Sequence, residues 1–180
     1  MVYRFTIVSD EVDGFMREIQ IDSDATFYDL HLALAQNVGY STKEMASFII
    51  CDDDWEKEKE VTLEDMGSSS EEDVYLMRDT ILSEILEDEK QKLRYVFDYM
   101  TERSLFIELS EIIIGKDLKT AQCTKSEGEA PKQTMDLDEM APKTTSIGDD
   151  LGENFYGDES FNDEDFDLDS FEVEDSNEKT

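Results

Sequence analysis

Three features of the sequence predict an α+β fold followed by a disordered acidic tail. Apolar and polar residues alternate at the N-terminus, apolar residues then recur at helical spacing, and acidic residues dominate the last third of the chain. We predict an α+β domain over residues 1–118, a linker over residues 119–133 and a disordered acidic-aromatic tail over residues 134–180.

The N-terminal residues predict a β-hairpin. Tyr3, Phe5 and Ile7 occupy every second position, so they share one side of an extended chain. Residues 9–14 have a turn-like composition, and residues 15–21 supply a second strand. Because the two strands are close in sequence, we expect them to pair in antiparallel fashion.

A helix is predicted directly after the hairpin. Residues 23–26 offer several candidate N-cap residues, since Ser, Asp and Thr side chains accept hydrogen bonds from the free amides of a first turn. Phe27, Leu30, Leu34 and Val38 follow at helical spacing, and Gly39 is a typical helix stop. This is the clearest helix in the sequence.

Further strands are predicted downstream of the helix. The polar stretch 52–70 is expected to be an exposed loop anchored by Trp55, and the pattern fades into a linker beyond Gly115. The remaining segments are a buried strand over 45–51, a short helix over 81–86, and strands over 93–99 and 105–109.

This order of elements favours a β-grasp-like arrangement. In such a fold a helix packs across a hairpin and covers one face of a mixed sheet, while the other face can stay open. A generic α+β sandwich is the alternative.

Charge limits the classes of partner. The chain carries a net charge of −32, and its tail alone holds 17 of the 48 acidic residues against two lysines. No basic stripe is present to neutralise phosphates, so we expect no direct binding to nucleic acid. The same charge argues against an anionic membrane surface.

The sequence also favours a cytoplasmic location. The N-terminus lacks the apolar segment of a signal peptide, and no stretch is long and apolar enough for a membrane span. Cys51 and Cys123 have no nearby cysteine partner, which is typical of proteins from a reducing compartment.

Several short segments resemble the plasmid pRiA4b ORF-3-like family, which is also labelled as the TnpR passenger of an insertion element. They are residues 25–31 (ATFYDLH), 48–50 (FII), 95–98 (YVFD) and 123–131 (CTKSEGEAP). The resemblance covers about residues 2–133 and leaves the acidic tail outside. It implies an α+β fold and no established biochemical activity.

The chain departs from the family pattern after its Y-x-F-D segment. The family continues F-D-F-G-D-x-W-x-H, whereas residues 97–106 read FDYMTERSLF and lack the glycine, tryptophan and histidine. An activity that depends on those residues is therefore not implied here. The resolvase label also lacks support, because no serine among arginines and no basic extension is present.

His31 is the single histidine and the one candidate for acid–base chemistry. It could serve a small hydrolase as a general base oriented by Asp24 or Asp29, or it could be a structural residue that ties the helix to a strand. We expect no catalytic residues, and the hydrolase is kept as an alternative.

No cofactor or metal site is expected from the sequence. The acidic residues 52–56 lack the spacing of an EF-hand loop, so a solvated loop is the simpler interpretation. One histidine and two distant cysteines do not form a zinc site, and the glycines form no phosphate-binding loop.

The tail supplies the leading functional hypothesis. Its composition fits either a solubilising end or a linear motif in which acids steer towards a basic surface and apolar side chains then enter pockets. We hypothesise a non-enzymatic bacterial adaptor whose tail engages a protein with a basic surface. A mobile-element or nucleic-acid accessory role is a further alternative. The candidate partner-binding residues are Phe161, Phe166, Leu168 and Phe171 as anchors, with Asp163, Glu164, Asp165 and Asp167 as steering charges.

Overall fold

A computed structural model of the chain describes residues 1–67 and 75–135. The described part is mostly sheet and contains eight strands and two helices. In chain order they are β1 (Val2–Val8), β2 (Met16–Asp22), α1 (Phe27–Val38), β3 (Ser47–Cys51), β4 (Lys57–Thr62), β5 (Tyr75–Leu76), α2 (Leu82–Ile85), β6 (Lys92–Asp98), β7 (Arg103–Ile113) and β8 (Gln122–Glu127).

All eight strands belong to one mixed sheet of order β5-β4-β3-β6-β7-β1-β2-β8. The β4–β5 pair is parallel and the other neighbours are antiparallel. The α+β class predicted from the sequence is confirmed at this level. Neither of the described helices is long and apolar enough to cross a membrane.

The predicted hairpin and helix are both present. β1 and β2 pair in register from Val2↔Asp22 to Val8↔Met16. α1 begins with a capping box, in which Thr26 Oγ1 accepts from the Asp29 amide and the Asp29 carboxylate accepts from the Thr26 amide. It ends at Gly39, whose φ of 76° is readily adopted only by glycine.

Two strands lie where the sequence predicted irregular structure. β4 is inside the predicted loop 52–70, and β8 is inside the predicted linker 119–133. Both have polar residues at nearly every position, so neither shows apolar alternation. They are stabilised by backbone pairing with β3 and β2 respectively. β8 is an edge strand, where lysine and other charged side chains are common.

The residues after β8 return to the hairpin. Gly128 has a φ of 66°, and a Cβ atom there would lie 2.5 Å from the Gly14 carbonyl oxygen. The Arg17 guanidinium donates to the carbonyls of Glu127 and Gly128, and the Tyr40 hydroxyl donates to the Pro131 carbonyl at 2.6 Å. Glycine is thus required at this point of the 123–131 segment because two backbones approach closely.

One face of the sheet carries the apolar core, and both helices pack on it. β1 contributes Tyr3, Phe5 and Ile7 to this face, as the alternation predicted. Phe27, Leu30 and Leu34 of α1 and Leu82 of α2 are buried against these strands, as is Leu86 directly after α2. We call this surface the covered face.

Candidate functional site

The opposite surface of the sheet has a different composition. Strand pairing places Ile49 beside Arg94 and Arg94 beside Phe106, while Ser47 lies beside Val96 and Val96 beside Ser104. Because side chains alternate along a strand, these residues point away from the core. We call this surface the open face, since no helix of the described residues packs on it.

A depression of about 290 Å³ lies on the open face where β4, β3, β6 and β7 are neighbours. We call it the Arg94 depression. Ser47, Val96 and Ser104 are buried although they point away from the core, so they form its floor beneath longer side chains. It is lined by Ser47, Ile49, Lys57, Glu60, Arg94, Val96, Tyr99, Glu102 and Ser104.

Arg94 Nε, a buried polar atom of this depression, has no hydrogen-bond partner in the described structure. The Ser47 hydroxyl is fully buried beside Glu60 and Tyr99, and its interaction with each of them favours that group's ionised form. Leaving a buried polar group without a partner costs about 1–3 kcal/mol. Natural folds seldom retain such groups, so each one calls for an explanation.

Arg94 also differs from other arginines of this acidic chain. Arg103 forms a two-pronged pair with the Glu11 carboxylate, at 2.8 and 2.6 Å. Arg4 bonds to Glu111 and lies 3.6 Å from Glu18, although its own Nε lacks a hydrogen bond. By contrast, no carboxylate of the described residues lies within 4 Å of the Arg94 guanidinium.

The Glu60 carboxylate of the depression already has hydrogen-bonding and charged partners. Burial opposes ionisation of Glu60, but hydrogen bonds and the charge of Lys57 outweigh it, and the pKa of Glu60 is lowered. The Tyr99 hydroxyl donates to Glu60 at 3.1 Å. Burial and the neighbouring Glu60 charge raise the pKa of Tyr99 to about 12. At neutral pH, Glu60 is therefore ionised and already paired with Lys57 and Tyr99, whereas Tyr99 is neutral and donates its hydroxyl proton.

An aromatic wall stands beside Arg94. The Trp55 ring packs edge-on against the Phe106 ring, with centroids 5.0 Å apart, and Lys92 Nζ lies 5.2 Å from the Trp55 centroid. Trp55 therefore anchors its loop to the domain, as predicted. Phe106 also lines a second depression of about 270 Å³ that shares Arg94 and Ser104 with the first. The two depressions are therefore adjacent on the open face.

His31 lies on the covered face and does not line the Arg94 depression. It is fully buried, and its Nδ1 is 2.9 Å from the Tyr95 hydroxyl. Its Nε2 has no partner, and burial lowers its pKa. The hydrolase hypothesis requires a carboxylate within hydrogen-bond distance of His31, and the described residues provide none.

The comparisons with known proteins agree with the sequence resemblance. The model of the plasmid pRiA4b ORF-3-like protein family matches residues 2–175. This chain belongs to that family. The match continues well beyond residue 133, so it includes most of the segment that the sequence resemblance left outside.

This ORF-3-like protein also resembles a solved structure. The crystal structure of a protein of unknown function from Methanosarcina mazei Go1 matches with a TM-score of 0.54 and 16% identity, and the match covers 69% of this chain and 68% of that chain. At this identity the likeness concerns the fold alone. No curated protein matches the chain.

A larger depression of about 510 Å³ separates α1 of the ORF-3-like protein from residues 118–121. Its acids already have structural roles. Asp29 closes the capping box, and the Asp22 carboxylate accepts from the amides of Asp24 and Leu118. The described structure records no unpartnered buried polar atom in its lining. This depression therefore offers a ligand fewer free hydrogen-bonding groups than the Arg94 depression does.

The acidic residues 52–56 also have a local role. The Asp52 carboxylate accepts from the amides of Asp54 and Glu56, both at 2.9 Å, and so shapes the turn that leads into β4. Within residues 1–67 and 75–135, no group of three or more His, Cys, Asp or Glu side chains is arranged to hold a metal ion.

The structure does not test the partner-binding residues predicted in the tail. Phe161, Phe166, Leu168 and Phe171, with Asp163, Glu164, Asp165 and Asp167, lie outside the described residues. Ser47 and Arg94, in turn, were not among the site residues predicted from the sequence. The available signal was the arginine between Leu93 and Tyr95, since a charge within an apolar strand must face away from the core.

Proposed function

We propose that this ORF-3-like protein is a non-enzymatic cytoplasmic adaptor that binds protein partners. The observation that carries the proposal is the unpartnered Arg94 Nε in a depression on the open face. Recognition surfaces combine aromatic and arginine side chains with polar groups that fix orientation, and this face offers both types.

The second element of the proposed adaptor is the C-terminal segment. Its phenylalanines recur among acidic residues, a composition suited to steering towards a basic protein surface and then anchoring in apolar pockets. We propose that this segment is disordered before binding, because its repelling charges and few apolar side chains favour a solvated chain.

The fold proposal is finer than the α+β class. We propose a β-grasp-like classification on the grounds that the hairpin is followed by a helix packed across it and then by further strands.

Capture from a lysate of the native organism tests the proposal with the full chain. The anchor variant carries Phe161→Ala, Phe166→Ala, Leu168→Ala and Phe171→Ala. We expect the wild type to retain a partner with a basic surface and the anchor variant to lose it. The bound proteins are identified by mass spectrometry.

Charge-matched variants isolate the steering role. Asp163→Asn, Glu164→Gln, Asp165→Asn and Asp167→Asn remove four charges near the anchors. Asp136→Asn, Asp138→Asn, Glu139→Gln and Asp149→Asn remove four charges elsewhere in the segment. We expect only the first set to slow association with the identified partner. Identical partner lists for wild type and anchor variant would refute a role for the tail.

A further inference from the structure

We propose that the Arg94 depression is a binding subsite for a carboxylate group. Arg94 is its donor, and Ser47, Ser104 and Tyr99 line the same depression. The inference deepens the proposed function, since it names the chemistry that the open face recognises. The carboxylate can belong to an acidic side chain of a protein partner or to a small organic acid, and the test below separates these sources.

The unmet hydrogen bond of Arg94 identifies the ligand as an acceptor. Arg94 Nε can only donate, because a guanidinium has no acceptor atom. A ligand that satisfies this atom must therefore present an acceptor oxygen, and an anion satisfies it most strongly.

Geometry favours a planar carboxylate. The guanidinium fork matches the two oxygens of a carboxylate, and such two-pronged pairs are common in recognition. Within this structure, Arg103 and Glu11 already show that pairing. Arg94 in β6 pairs directly with Phe106 in β7, so an aromatic ring borders the same site.

Charge favours a single negative charge over two. The depression is lined by two cations, Lys57 and Arg94, and by two carboxylates, Glu60 and Glu102. Lys57 is already paired with Glu60. Arg94 is thus the cation left for a ligand, and Glu102 offsets its charge within the lining, so the depression holds no excess positive charge. A monoanion is therefore repelled less here than a phosphate dianion.

Titration of the full-length protein with small probes tests the proposal directly. Sodium acetate, methyl phosphate, and the capped peptides acetyl-Gly-Glu-Gly-amide and acetyl-Gly-Gln-Gly-amide are added at constant ionic strength and pH 7.5. The readouts are backbone amide shifts at Ser47, Arg94 and Ser104, and the fluorescence of Trp55, the single tryptophan.

We expect saturable shifts with the glutamate peptide, with acetate, or with both, at affinities on the order of millimolar for such small probes. Binding of acetate indicates a site that accepts free carboxylates, whereas binding of the glutamate peptide alone assigns the site to a protein source. The glutamine peptide should give no saturable shift. Tighter binding of methyl phosphate than of either carboxylate, or no saturable shift with any probe, would overturn the assignment.

Three variants check which residue supplies the affinity. Arg94→Gln removes the charge and the fork, and Arg94→Lys keeps the charge but loses the fork, so each should weaken binding by about tenfold. Arg4→Gln is the matched control on the same face, because it also removes one positive charge and Arg4 already pairs with Glu111 and Glu18. Equal losses in Arg4→Gln and Arg94→Gln would show a nonspecific charge effect and refute the subsite.

The result is independent of the tail. The titration uses purified protein without a partner, so failure of the carboxylate subsite leaves the partner-capture result intact. Conversely, loss of every captured partner would not change the acetate or peptide shifts.

Discussion

The two faces of the sheet differ at adjacent positions of the same strands. In β3, Phe48 points into the core and its neighbour Ser47 points to the open face. In β6, Tyr95 and Arg94 divide in the same way. All four residues are at least partly removed from water. On the open face, Arg94 Nε is left without a hydrogen-bond partner.

This difference separates stability from recognition. On the covered face, Phe48 packs against Phe27 and Tyr95 with ring centroids 5.5 and 5.0 Å apart. Such burial is the main favourable term in folding. The open face gains little from burying part of a guanidinium without a partner. The proposed binding role would account for that arrangement.

The largest expected effect is on the covered face. Phe48→Ala should lower the free energy of unfolding by about 3–5 kcal/mol, because it removes a fully buried ring and leaves a cavity. Urea denaturation followed by circular dichroism measures the change. A loss below about 1 kcal/mol would show that the core does not depend on this contact.

The buried His31 should make stability depend on pH. Burial lowers its pKa from the ordinary value of 6.5, so the unfolded chain takes up a proton at a higher pH than the folded one. Stability contributed by neutral His31 is therefore present above about pH 6.5 and is lost as pH falls, with a slope of at most ~1.4 kcal/mol per pH unit.

His31→Gln is the control for this pH effect. Glutamine does not titrate and can still hydrogen-bond to the Tyr95 hydroxyl. Between pH 7.5 and 5.5 the wild type should lose more unfolding free energy than the variant does. Parallel pH profiles for the two proteins would contradict the assignment to His31.

A smaller effect is expected when paired and unpaired arginines of the open face are compared. Arg4→Gln leaves Glu111 and Glu18 without their cation, which should cost about 0.2–1 kcal/mol. Arg94→Gln breaks no ion pair within the described structure, so its unfolding free energy should stay within about 0.5 kcal/mol of wild type. The same urea denaturation compares both. The reverse order would indicate that Arg94 supports the fold.

The sequence predicted the elements whose faces bury apolar side chains. The hairpin and α1 have clear periodicity, and the Thr26 cap and Gly39 stop have local physical causes. β4 and β8 were missed because their polar side chains carry no such pattern, and backbone pairing with a distant segment stabilises them.

The candidate site could not be predicted from local patterns. Ser47 and Arg94 are far apart in sequence and meet only through the register of β3 and β6, in which Ser47 pairs with Val96 and Ile49 with Arg94. A one-residue shift in that register would turn one of the two side chains to the core and leave the other on the open face. The lack of a partner at Arg94 Nε is likewise a property of the folded sheet.

The most direct test of the account is the unfolding free energy of Arg94→Met in the full-length protein without ligand. If the buried Nε is retained for binding, an apolar side chain of similar length should leave the free energy of unfolding within about 0.5 kcal/mol of wild type or raise it. A decrease of more than ~1.5 kcal/mol would show that Arg94 serves the fold, and would contradict the division between the two faces.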